Sequence, residues 1–195
     1  MAKDEGGSFD PVPEGMHHAV CYGVYDLGTQ YSEKFDSHAH KMLIQWEIPG
    51  ERIDVERDGV KMNLPRAISK IYTVSLNEKA NLRKDLQAWR GKAFTETELK
   101  GFDLKNILGK NCMLQVIHNQ KDNKTYANIT TLTPLPKGST PLKAENPLRF
   151  YSINDHRGAI PEGTPEWVEN IIKAGDEWAS MGNGSQYVPD DDVPF

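Results

Sequence analysis

The chain has 195 residues, 37% of them apolar, which suits one domain with appendages, a globular part of about 130 residues burying one core. No apolar run approaches the ~18 residues of a membrane span, and the polar start Met1-Ala2-Lys3-Asp4-Glu5-Gly6-Gly7-Ser8 lacks the apolar core of a signal peptide, so a cytoplasmic location with no membrane partner is expected. The net charge of -5 is uneven: residues 1–59 carry 5 basic and 12 acidic side chains, residues 60–137 carry 14 and 6, and residues 138–195 carry 4 and 10, so a basic island lies between acidic flanks.

Residues 1–15 read as a flexible N-terminus. A first strand is predicted over 16–27, where β-branched and aromatic residues gather in His17-His18-Ala19-Val20-Cys21-Tyr22-Gly23-Val24-Tyr25. Residues 41–48 alternate, with Met42, Ile44, Trp46 and Ile48 on one face and Leu43, Gln45 and Glu47 on the other. Pro49-Gly50 interrupts this strand and a further extended stretch covers 52–57. Asp58-Gly59, a dipeptide favoured in type I′ turns, then returns the chain through 60–64 and 68–76, so strands two and three form a long hairpin.

Ser75-Leu76-Asn77-Glu78 has capping-box spacing, and Leu82, Leu86 and Trp89 make one apolar stripe, which predicts a helix over 77–90 ended by Gly91. Thr95-Glu96-Thr97-Glu98 repeats the capping pattern, and 103–108 reads as a short helix stopped by Gly109. Strands four and five are expected at 111–118 and 124–133, joined by the polar loop 119–123. Cys21 and Cys112 each sit in an alternating or apolar run with no second cysteine nearby, so they are expected as reduced core thiols.

The fold class is therefore mainly β. The order strand, strand, strand, helix, strand, strand matches an OB-fold over residues 16–137, a five-stranded Greek-key barrel with a helix between strands three and four; a β-sandwich fragment and an α+β domain with an open sheet are alternatives. Prolines at 134, 136, 141 and 147 fit a linker, assigned to 138–164. Trp167, Ile171, Ala174 and Trp178 predict an amphipathic helix over 165–181 that docks on the barrel or seals a neighbouring subunit, so homo-oligomerisation stays open. Gly182-Asn183-Gly184-Ser185 opens a disordered acidic tail over 182–195.

Single-stranded nucleic acid is held by a positive groove for phosphates and by aromatic faces for bases. The second strand supplies Lys41 and Trp46, the third strand and its approach Arg66, Lys70 and Tyr72, and the helix and following loop Arg83, Lys84, Arg90, Lys92 and Phe94. Tyr72 and Trp46 are the expected stacking rings and the basic residues the expected phosphate contacts. Trp46 shares its face with Met42, Ile44 and Ile48 and so also has a core reading, as does Trp89 on the helical stripe.

The tail ends in Asp190-Asp191-Asp192-Val193-Pro194-Phe195, three carboxylates beside a terminal ring, a shape suited to an apolar pocket with a basic rim. This hexapeptide resembles the acidic tip of bacterial single-stranded DNA-binding proteins, whose common form has isoleucine where Val193 stands. Residues 68–76, continuing through Leu82-Arg83-Lys84-Asp85-Leu86 to Trp89-Arg90-Gly91-Lys92, are similar to a segment of small proteins encoded by phages and other mobile elements. The resemblance implies a sequence-nonspecific protein, in a bacterial or phage-infected cell, that protects single strands. It also implies that Asp190 to Phe195 recruit replication, recombination or repair enzymes. No cofactor and no catalysis are expected. The barrel region does not resemble the housekeeping bacterial proteins, so their tetrameric assembly is not carried over.

Two other classes stand beside this reading. One is an interaction or DNA-mimic module that binds no DNA, with the acidic flanks as its working parts. The other is a metal-dependent nuclease built on His17, His18, His38 and His40 with Asp26, Asp36 or Glu47, although adjacent His17 and His18 point opposite ways on a strand and no phosphate-loop, nucleophile-elbow or zinc-hydrolase motif is present.

Overall fold

In the computed structural model, which describes residues 10–181, the first strand is longer than its sequence pattern because it serves several partners. Strand β1 (Gly15–Ser32) pairs with β4 (Asn111–Lys121) through its first residues and with β2 (Ser37–Arg57) from Val20 onward. β2 turns at Asp58-Gly59 into β3 (Val60–Thr73), both turn residues having positive φ as a type I′ turn requires. A bulge between Ile48 and Arg52 absorbs Pro49-Gly50, so the interrupted strand continues as one. β4 and β5 (Lys124–Thr133) meet at a tight Asp122-Asn123 turn, also at positive φ; the expected five-residue loop is mostly strand.

These five strands form an antiparallel sheet in the order β3-β2-β1-β4-β5, curled into a half-barrel. Helix α1 (Asn81–Arg90) lies between β3 and β4 in sequence and packs on β5 and β3. It starts later than predicted because Ser75 and Asn77 do not cap it: Ser75 Oγ accepts from Asn77 N and Asn77 Oδ1 from Lys79 N, both in local turns. Gly91 ends α1 at φ 66°. Short α2 (Glu96–Lys100) carries the expected Thr95–Glu98 capping box, and the next segment is a 3-10 turn, Leu104–Ile107, capped by Asp103. No helix among the described residues is long and apolar enough to cross a membrane.

One apolar core fills the curl of the sheet. Cys21, Ile44, Trp46, Leu114 and Leu132 meet the α1 stripe of Leu82, Leu86 and Trp89 there, and the rings of Trp46 and Trp89 stand 5.7 Å apart. Cys21 and Cys112 are free and buried, and burial pushes both thiols up, which keeps them protonated and unreactive. Residues 10–14, expected to be flexible, are held: Val12 is buried, its carbonyl contacts His118 Nε2 at 2.8 Å, and Glu14 accepts from His118 N at 2.7 Å.

The segment assigned to a linker is also part of the fold. Short β6 (Arg149–Tyr151) adds to β1 in parallel where β4 leaves it, and α3 (Ile153–His156), α4 (Glu166–Lys173) and α5 (Asp176–Met181) follow. Tyr151, Ile153, Val168 and Ile172 close a second core against Tyr25, Leu27 and Leu43 on the outer sheet face. The predicted 165–181 helix is thus two helices. They break at Gly175, where a Cβ would stand 3.0 Å from Leu27 O. The buried stripe is Val168 and Ile172, one residue out of the predicted phase, and Trp167 faces outward.

Glu47 anchors this segment. Its carboxylate is fully buried on β2 and accepts from Glu145 N (2.7 Å), Asn146 N (2.9 Å) and Asn146 Nδ2 (2.6 Å), which meets the cost of burying it. Glu47→Ala leaves three donors unmet and is expected to lower stability by about 2–4 kcal/mol in urea unfolding. Backbone hydrogen exchange over 145–173 should quicken; unchanged exchange there would mean that apolar contacts alone hold the segment.

Candidate nucleic-acid interface

Where β2 and β3 run beside the start of α1, the chain leaves a cleft of about 650 Å³ lined by Lys41, Lys70, Ile71, Tyr72, Thr73, Ser75, Asn77, Lys79, Ala80 and Asn81. None of these residues is acidic. Lys41 stands opposite Thr73 in the β2–β3 register and donates to its Oγ1 at 2.7 Å, so the ammonium is held at the cleft edge. Lys79 is exposed just before α1. The first turn of α1 carries no acidic residue and no side-chain cap, which leaves its positive dipole end facing the same space. Ile71, 47% exposed, offers an apolar surface among these charges. The arrangement suits an extended anion with apolar parts.

Apart from Trp46, which is buried in the core, the sequence-predicted residues separate into three groups. Lys41, Lys70 and Tyr72 come together at this cleft, joined by Lys79, which the sequence reading did not single out although it belongs to the basic island. Arg66 lies further along β3 and donates to the Asp10 carbonyl. Arg83, Lys84, Arg90, Lys92 and Phe94 sit on α1 and the loop after it, and of these Lys84 and Lys92 are exposed.

Three aromatic assignments change. Trp46 has no exposed surface, because its face of β2 is the inner face against Trp89. Tyr72 is 3% exposed, and its hydroxyl donates to Asp85 Oδ2 at 2.8 Å; burial and the Asp85 charge push its ionisation far up. Phe94 is buried edge-on to Phe102, with ring centroids 5.1 Å apart. None of the three presents a free ring face for a base.

Two basic assignments change with them. Lys70 points toward the inner side, ion-pairs with Asp85 at 2.7 Å and donates to Ile129 O on β5 at 3.3 Å, fastening β3 to β5 and α1. Arg90 pairs with Glu98 and lies over the Phe94 and Phe102 rings at 4.5 and 5.2 Å. Both cations already have partners, which the spacing of a sequence does not reveal.

No family model matches this chain, and no curated protein matches it significantly.

The histidines do not gather into one centre. His17 contacts Pro13 O at 2.7 Å and His18 contacts Asn111 Oδ1 at 2.7 Å, on opposite sides of β1. His38 and His40 lie on β2 and meet α5: His38 Nδ1 is 2.8 Å from Asp176, and His40 lies 2.6 Å from Asp26 and 3.5 Å from Glu177. Asp36 accepts from the Tyr31 hydroxyl, and Glu47 holds the C-terminal segment. Among the described residues no three such side chains are grouped to hold a metal ion.

The α5 contacts carry a pH dependence. Burial alone would raise the Glu177 carboxyl, but hydrogen bonds from Thr29 Oγ1 and Thr29 N, both 2.6 Å, and the nearby His40 bring it below its ordinary value. A lowered carboxylate stabilises the docked state fully above the ordinary value of 4.5 and loses that contribution as the pH falls through the lowered value. The hold of Glu177 on β1 should therefore weaken, and α5 loosen, as the pH falls through that lowered value. Hydrogen exchange of 176–181 measured down a pH series tests this, and Glu177→Gln should remove most of the dependence.

Proposed function

We propose that the chain is an OB-fold protein that binds single-stranded DNA with little sequence preference, protects it, and recruits replication, recombination or repair enzymes through Asp190, Asp191, Asp192, Val193, Pro194 and Phe195. That tip lies outside the described residues. The observation that carries the reading is the cleft with no acidic residue in its lining, where Lys41, Lys79 and the uncapped start of α1 stand beside exposed Ile71. It opens on the β2–β3 region, the face on which OB-folds take oligonucleotides. The strand order and the helix between β3 and β4 support the same architecture, as does the approach of β3 to β5 across the Lys70–Ile129 bond. The acidic tail supports recruitment.

A second reading has one observation in its favour. Arg66, Lys70 and Arg90 of the positive island are bonded to groups of the chain itself, which leaves fewer free cations for a nucleic acid. An interaction or DNA-mimic module needs no such surface, and it predicts no oligonucleotide binding.

Anisotropy of labelled oligo-dT at two salt concentrations, beside a duplex control, separates the two. The single strand should bind preferentially and weaken steeply with salt through counterion release. Lys41→Ala and Lys79→Ala should each weaken binding and reduce the logarithmic salt slope by about 0.7, the share of one single-strand phosphate contact. No binding in dilute buffer would favour the interaction module, and unchanged slopes in both variants would remove the cleft as the site. Deleting 190–195 should preserve or raise DNA affinity and abolish capture of a replication or repair enzyme; a large loss of DNA affinity would contradict the division of labour.

A further inference from the structure

A second groove, of about 520 Å³, crosses the outer face of β2 and β3 and is walled on one side by Pro165 and Trp167 from the C-terminal segment. Tyr22, Gln45 and Ser69 contribute to its lining, with Asp10 and Arg66, whose guanidinium donates to the Asp10 carbonyl. Two of its features ask for a ligand.

The first is Trp167. Trp46 and Trp89 are core residues and Trp178 packs on the second core, whereas Trp167 is 45% exposed at the groove wall. Its neighbour Val168 is fully buried, which locks α4 in place and so fixes where the indole stands. The second is Gln45, 4% exposed, whose Oε1 is buried without a hydrogen-bond partner. Gly23 on β1 leaves the room this carboxamide needs, since a Cβ there would meet Oε1 at 2.8 Å. Oε1 rests against Gly23, and Gln45 also lines the groove, so a turn of the carboxamide brings its unpaired acceptor to an incoming N–H.

The groove is continuous with the lysine cleft. Ala67, Ser69, Ile71 and Thr73 alternate along one face of β3, the first two lining the groove and the last two the cleft. At ~3.4 Å per residue the row is about 20 Å long. A polyanion lying in the cleft therefore has a path along β3 to the groove.

We propose that this groove takes one unstacked nucleobase of the bound strand, its face on Trp167 and its polar edge toward the Gln45 carboxamide. The proposal rests on the single-strand reading above and adds the base-stacking ring that the burial of Trp46, Tyr72 and Phe94 leaves missing. A carboxamide offers a donor and an acceptor together, which complements the N–H and C=O or ring-nitrogen edges of bases. An indole stacks on any base, so the site grips without strong sequence choice.

The test uses the full chain with oligo-dT. Wild-type tryptophan fluorescence should be quenched by the oligonucleotide, and Trp167→Phe should lose most of the quench while keeping affinity within about 5-fold, since a ring remains. Trp167→Ala should weaken binding about 5- to 100-fold by anisotropy, with its thermal unfolding checked beside the wild type. Irradiation of an oligonucleotide bearing 5-iodouracil should crosslink to the peptide containing Trp167. If the wild type binds but Trp167→Ala binds equally well and the quench persists in Trp167→Phe, the pocket is overturned and the single-strand reading stands. If the wild type does not bind oligo-dT in dilute buffer, both fall.

Discussion

A strand buried on both faces has to be covered twice, and β1 is such a strand. From Ala19 to Tyr25 every residue is buried. Its inner side chains enter the core shared with α1, while Tyr25 and Leu27 enter the core shared with α4 and β6. Its edges are likewise doubly used, by β2 on one side and by β4 and then β6 on the other. Bulges between Cys21 and Gly23 and between Asp26 and Gly28 let one strand curl through these changes of partner. The half-barrel and the C-terminal segment are two coverings of the same strand.

That constraint explains why the segment after β5 is structure and not tether. Without it Leu43, Tyr25 and Leu27 would form an exposed apolar patch on the outer sheet face. Glu47 adds direction to a contact that apolar burial alone would leave free to slide, since three donors from Glu145 and Asn146 fix where the chain crosses β2. In the functional reading proposed above, the same docking sets Trp167 over the β2–β3 face, so stability and recognition draw on one arrangement.

A count of charges is not a surface. Of the basic island, Lys70 joins Tyr72 and Asp85 at the β3–β5 seam, and Arg90 is held between Glu98 and two phenylalanine rings. Such contacts draw on the long, amphipathic shape of these side chains as much as on their charge. At the cleft where β3 gives way to α1, exposed Lys79 joins Lys41 of β2, while Lys84 and Lys92 stay exposed on α1 and the loop after it.

By itself the sequence determined the mainly β class, the strand order, the Asp58-Gly59 turn, the α1 stripe of Leu82, Leu86 and Trp89, the Gly91 stop and the Thr95–Glu98 cap, because each depends on neighbours a few residues away. It also marked both cysteines as core thiols through their apolar runs. Tertiary structure decided the rest. Whether Trp46 and Tyr72 faced solvent depended on which side of the sheet α1 covered, and alternation names two faces without saying which is inside. The apolar stripe after Pro165 shifted from Trp167 and Ile171 to Val168 and Ile172 because the outer face of β1, distant in sequence, selected the side that fitted. Lys70 and Arg90 turned inward for the same reason: their acidic partners lie 15 and 8 residues away, and only folding brought them within reach.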